Sequence, residues 1–183
     1  MIQGVLLAAG AGRRMGMPKA LVRDGSGESW LLRGVEALHE GGCEDVTVVL
    51  GAAADRAVPL LDGAGVDVVV AADWDEGMGA SLRAGLGSLG TGPEAALVTL
   101  VDLPDVGAEV VRRVMAAATG PGSLARAAYD GVPGHPVLLG RDHWAGVSES
   151  ATGDRGARDY LAGREVTLVE CGDLATGRDR DTP

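Results

Sequence analysis

Five short runs dense in Val, Leu and Ile punctuate the chain: IQGVLLAA at the start, then DVTVVLG, VDVVVAA and AALVTLVD, and REVTLVEC near the end. Strand-like apolar runs of this kind, alternating with amphipathic helices, are the pattern of a parallel sheet covered on both faces. Around residues 29–40, 54–62, 79–89 and 107–118 the apolar positions recur at helical spacing instead. Strands joined by amphipathic helices require crossover connections, so the pattern predicts a three-layer α/β domain with a mainly parallel sheet. After Gly120 the rhythm changes. SLARAAYDGVPGHPVLLG reads as a hairpin or paired extended strands, and residues 140–163 supply short helices, an elaborated edge suited to shaping a second substrate's pocket. The last stretch, GDLATGRDRDTP, is polar. With no internal repeat, low-complexity segment or interdomain linker, 183 residues are expected to close one core as a single domain, 1–183.

Composition narrows the function. The apolar fraction of 46% and charged fraction of 23% are those of a globular protein rather than a disordered one. A net charge of −10 leaves no basic face for a nucleic-acid backbone, so any phosphate handling must be local. Cys43 and Cys171 stand alone, which disfavours a disulfide framework or a cysteine zinc site. The first apolar run is too short to span a bilayer, and its basic residues follow it where a secretory signal would have them in front; a cytoplasmic protein is expected.

The chemistry gathers directly behind that first run. GAGRRMGMPK places three glycines, Arg13, Arg14 and Lys19, the only lysine of the chain, where a buried strand should leave the sheet. Ligands of open α/β sheets bind at such strand ends, and glycine lets backbone N–H groups approach phosphate oxygens closely. A glycine-rich turn with solvated arginines is the plain alternative. Gly10, Gly12 and Gly16 approach a dinucleotide fingerprint, but the next strand ends near Leu50, too far on for the acidic residue that motif needs. The Gly-Lys-Ser/Thr ending of a Walker loop is absent as well. The basic residues suit a nucleoside triphosphate whose pyrophosphate half must be neutralised as it leaves.

LLAAGAGRRMGMPKAL resembles the L-A-A-G-x-S/G-x-R-M-G-x-x-K signature of the MobA-like nucleotidyltransferases, which include the molybdenum-cofactor guanylyl- and cytidylyltransferases. GMGASLRAGL, LVDLPDV, GHPVLLGRDHW, TGDRGARDYL and DRDTP extend the likeness over most of the chain, toward the cytidylyltransferase branch. The resemblance implies a Rossmann-like nucleotidyltransferase fold with a mixed sheet, residues 1–106 forming the nucleotide-binding half and 107–183 the acceptor-binding half. It implies transfer of CMP from CTP to the terminal phosphate of molybdopterin, with Mg²⁺ as cofactor and a molybdenum hydroxylase as downstream client. Leu7, Ala8, Ala9, Gly10, Gly12 and Arg13 would then hold the nucleotide, with Arg14 and Lys19 on its β- and γ-phosphates. Asp102, ending the AALVTLV strand, would bind the metal, although a turn or helix-capping aspartate fits its position equally. The second metal ligand implied by the Asp-Thr-Pro element is Asp181, with Asp179 as the substitute. Asp105 suits a helix cap. Ser81 and Arg83 at a helix start either bind nucleotide or serve as a cap and a surface arginine. His135 and Arg141 are assigned to the acceptor pocket, His135 as a shaping residue because an ionised phosphate acceptor needs no base.

Three rivals stay open at this level. The same half could serve a different donor or acceptor, such as GTP, a sugar phosphate or phospholactate. A nicotinamide or flavin enzyme would read the glycine loop as a dinucleotide site. A nucleotide sensor or cofactor chaperone would keep the fold without the reaction.

Overall fold

In the computed structural model, which describes residues 1–181, the five apolar runs and the hairpin become seven strands of one sheet. In chain order they are β1 (Ile2–Leu7), β2 (Val46–Leu50), β3 (Asp67–Val70), β4 (Ala95–Leu100), β5 (Leu124–Tyr129), β6 (Val132–Gly140) and β7 (Thr167–Glu170). Their spatial order is β3-β2-β1-β4-β6-β5-β7. β6 alone runs against the others, so the sheet is mixed but mainly parallel.

Six helices cover it: α1 (Trp30–Gly41), α2 (Ala54–Ala57), α3 (Met78–Ser88), α4 (Ala108–Met115), α5 (Trp144–Ser150) and α6 (Arg158–Leu161). Strand alternation divides the core in two. Leu6, Val48 and Leu97 point into one layer with Leu31 and Leu38 of α1 and Val114 of α4. Val5, Val49 and Val98 point into the other, with Leu82 and Leu86 of α3 and Val147 of α5. That is the expected three-layer, Rossmann-like arrangement. The helix expected over 54–62 splits into α2 and a 3₁₀ turn at Val58–Leu61. Pro59 is the cause, because it has no N–H to continue the α-helical ladder. Among the described residues no helix is long and apolar enough to cross a membrane.

Two placements position the site. The chain winds outward from β1 to β2 and β3, then crosses back to β4 on the other side of β1. β1 and β4 are therefore parallel neighbours, with Leu7 beside Leu100, and both leave the sheet at the same edge where the winding direction reverses. α1 and α4 pack closely against each other on one face of the sheet. A Cβ on Gly41 would lie 2.2 Å from Val111 Cγ1 and 3.2 Å from the Ala108 carbonyl oxygen.

His135 lies in the hairpin, half-buried near the start of β6. Burial, aided by the nearby Arg126 charge, pushes its pKa down to about 4. The Tyr129 hydroxyl donates to its carbonyl at 2.6 Å.

Gly41→Ala is expected to destabilise the fold by about 1–3 kcal/mol through overpacking against the stiff Val111 side chain. The urea midpoint should fall with an unchanged slope. For His135 the unfolded chain takes up the proton below about pH 6.5 while the folded state resists it down to about 4. Stability should thus decline as pH falls through that window, by roughly 2–3 kcal/mol. Denaturation of His135→Gln across the same range should show a flatter profile.

Candidate active site

The residues following β1 form a loop closed on itself by its own backbone. Gly16 N–H donates to the Gly12 carbonyl at 2.9 Å, and Lys19 N–H donates to the Gly10 carbonyl at 3.1 Å. Gly12 makes this closure sterically feasible: its φ is +58°, and a Cβ there would sit 1.9 Å from the Met17 carbonyl oxygen. The loop is held to the sheet by Ala8 N–H on Val49 O and Ala52 N–H on Ala9 O. Its return ends in a 3₁₀ turn at Lys19–Leu21, anchored by buried Ala20, which directs the Lys19 side chain back over the ends of β1 and β4.

There Lys19 meets the carboxylate that follows β4. Asp102 is buried, and its Oδ2 accepts a short hydrogen bond from Lys19 Nζ. Asp181 Oδ1 lies 3.4 Å from the same ammonium, and Asp181 Oδ2 takes Arg14 Nη1 at 3.2 Å. Burial acts to lower the Lys19 pKa, but the hydrogen bonds and charges of Asp102 and Asp181 outweigh it and hold the value above the usual lysine range. Carboxylate oxygens of Asp102, Asp179 and Asp181 lie within 4.8 Å of one another. Three hard oxygen donors around a point already favourable to positive charge fit a divalent cation such as Mg²⁺.

Of these groups Lys19 and Asp102 line a cavity of about 360 Å³, whereas Arg14, Asp179 and Asp181 are not among its lining residues. Its floor is Leu7 with Leu100, Val101 and Asp102. Ala9, Gly10, Gly12, Arg13 and Lys19 form one wall, and Trp74, Asp75, Gly77, Met78 and Ser81 face them. Ser81 lies in the first turn of α3 with its residue buried. Ala8 is buried behind the wall and contributes its backbone bond.

Three residues expected here, Arg83, Arg141 and His135, do not line the cavity. Arg83 ties the start of α3 to its surroundings, reaching Asp73 at 3.1 Å, Glu76 at 3.2 Å and the Ala151 carbonyl at 2.5 Å. Two residues apart on a helix are about 200° apart around its axis, so Ser81 and Arg83 cannot share a face. Arg141 is at the opposite edge of the sheet, where its Nε donates to the Pro93 carbonyl at 2.6 Å. β6 runs antiparallel, so the motif spanning it begins at the site's edge and ends at the far one. His135, at its start, is on the correct edge but does not line the cavity. Asp105 does not cap α4; it accepts instead from Thr176. Trp74, Asp75 and Asp154 line the cavity without having been singled out from sequence. For Asp154 the available signal was the Gly-Asp pair: this turn packs against Gly77, where a Cβ would lie 2.6 Å from Asp154 Oδ1.

Known proteins resemble this chain over most of its length. It is 36% identical to a nicotine blue oxidoreductase of Paenarthrobacter nicotinovorans, the alignment covering 99% of this chain and 92% of that protein. It is 33% identical to a molybdenum cofactor guanylyltransferase of Rhodobacter capsulatus over 78% of this chain and 65% of that longer protein. A Mycobacterium tuberculosis protein solved in complex with manganese superposes with a TM-score of 0.79 at 26% identity, covering 98% of this chain and 93% of that one. Residues 4–169 match the family model described as the MobA-like NTP transferase domain. The glycine loop, the carboxylates across from it and this match agree: the chain belongs to the MobA-like NTP transferase family.

Proposed function

We propose that the protein transfers CMP from CTP to the terminal phosphate of molybdopterin or the molybdenum cofactor and releases pyrophosphate. The observation that carries this reading is the meeting of Lys19 and Arg14 with Asp102 and Asp181 at the shared exit of β1 and β4. Positive side chains there suit the leaving half of a triphosphate, and the carboxylates suit a cation bound to it. The guanylyltransferase relative supports a molybdenum-cofactor acceptor. CTP is favoured over GTP by the Leu-Leu-Ala-Ala-Gly form of the loop.

In this mechanism the triphosphate lies along Gly10–Lys19 with its base and ribose toward the cavity's α3 wall. Asp102 and Asp181, with Asp179 beside them, would hold Mg²⁺, which would supply neutralisation of the crowded phosphate oxygens. The acceptor's ionised phosphate oxygen attacks the α-phosphorus in line, the bond to the β-bridging oxygen breaks, and pyrophosphate departs with its electron pair. No side chain has to remove a proton. Lys19 and Arg14 exchange their Asp181 contacts for phosphate oxygens and follow the charge that moves onto the leaving group, so catalysis is positioning and electrostatics.

The oxidoreductase relative favours a second reading, in which the loop holds a redox dinucleotide. Against it, β2 ends at Leu50 and continues as Gly51-Ala52-Ala53, with no carboxylate to receive a ribose diol.

The test is a screen of CTP, GTP, ATP and UTP with molybdopterin and Mo-molybdopterin in the presence of Mg²⁺, following pyrophosphate release, alongside assays for retained flavin or NAD(P). CTP-selective turnover is expected; turnover only with another acceptor, or retained redox dinucleotide without triphosphate binding, overturns the proposal. In the active pairing, Lys19→Ala should lower kcat by about 10²-fold or more. An unchanged rate would remove Lys19 from the mechanism.

A further inference from the structure

The Asp179 and Asp181 carboxylates come from a segment that has no regular structure of its own. β7 ends at Glu170 on the same edge as the site, but β5 and β6 lie between it and β4. At about 4.8 Å per strand, residues 171–181 must cross roughly 14 Å of sheet edge to deliver Asp181 to Lys19. A strap without helix or ladder bonds gains its order only from what it crosses.

Its first residues are fixed by buried Cys171, whose N–H donates to the Ala128 carbonyl at 2.7 Å, and by Leu174 and Ala175 packed on the core; the polar attachments beyond the sheet are few. At the base, Arg113 binds Asp173 at 2.5 and 3.0 Å. Midway, Asp105 Oδ2 accepts both the backbone N–H and the hydroxyl of Thr176, each at 2.6 Å. Gly177 then packs against the Tyr129 ring, and Arg180 N–H donates to the Asp102 carbonyl at 2.9 Å. Among the described residues the Thr176 contact is the one charge-assisted anchor between the base and the site. It also originates in the turn that carries Asp102, three residues away, so one loop holds both the buried carboxylate and the strap bringing its companions.

We infer that Asp105 is a positioning residue that assembles the Asp102–Asp179–Asp181 cluster by clamping the C-terminal strap through Thr176. It touches neither substrate nor metal. The inference rests on the proposed cation site for its functional consequence, but not for the clamp itself.

Two measurements on the full chain test it. Amide hydrogen exchange without added metal reads the clamp directly: Asp105→Ala should raise exchange at Arg180 by about 10-fold or more while β1 and β4 stay protected. Thr176→Val, which keeps the backbone bond, should have a smaller effect, and Thr176→Ser should behave as the parent. Mn²⁺ titration, followed by the signal of free Mn²⁺, reads the consequence. Asp105→Ala is expected to weaken binding about 10-fold. Combined with Asp181→Ala it should add less than its own separate loss, because part of what it removes is the same ligand, the remainder being the displaced Asp179. Parent-like protection of Arg180 in Asp105→Ala, or strictly additive losses of Mn²⁺ affinity, would overturn the inference. A parent protein that takes up no Mn²⁺ would refute the cation site of the proposed function, and exchange at Arg180 would still decide the clamp.

Discussion

One ammonium set between carboxylates organises the active end of this molecule. Lys19 reaches from the far end of the glycine loop to Asp102 behind β4, and Asp181 arrives from the C-terminal strap to share it. A partly buried pair of this kind contributes little net stability, because desolvation offsets most of its Coulomb attraction. Its consequence is the charge state. A lysine is protonated at neutral pH in any setting, and the raised pKa carries that charge further into the alkaline range, where the linked stabilisation is lost as pH rises through the raised value. The site therefore sets a positive charge and the Asp102 carboxylate in the lining of one cavity, with Asp181 beside Lys19.

The fold supplies the geometry with simple means. Parallel pairing in the register Leu7 beside Leu100 brings two chain exits, far apart in sequence, within side-chain reach. The loop after β1 then has to double back tightly, which requires the left-handed backbone of Gly12 beside the Met17 carbonyl. Nothing in this arrangement depends on a helix dipole or a base. For the transfer proposed above, whose nucleophile would already be ionised, preorganised charge on a rigid sheet edge would be sufficient.

Much of this is legible in the chain because strand period and glycine spacing are local signals. The apolar runs coincide with β1 to β4 and β7, and the loop that carries the signature brings Lys19 back to Asp102 behind β4. The positions that resisted reading depend on direction and long-range docking. Arg141 belongs to a motif that begins at the site, but a nine-residue antiparallel strand carries it to the opposite edge. Arg83 follows Ser81 by two positions, and helical rotation turns it away. Asp105 reads as a cap from its neighbours alone; its actual partner, Thr176, is 71 residues distant. No periodicity encodes that contact.

The central claim is that a triphosphate and its divalent cation occupy the exit of β1 and β4. A crystal structure with Mn²⁺ and a non-hydrolysable CTP analogue, using the anomalous signal of the metal, tests it most directly. The account predicts an anomalous peak among Asp102, Asp179 and Asp181, with the phosphates along the loop from Gly10 to Lys19. A peak elsewhere, or a nucleotide bound with its phosphates away from Lys19, would contradict it.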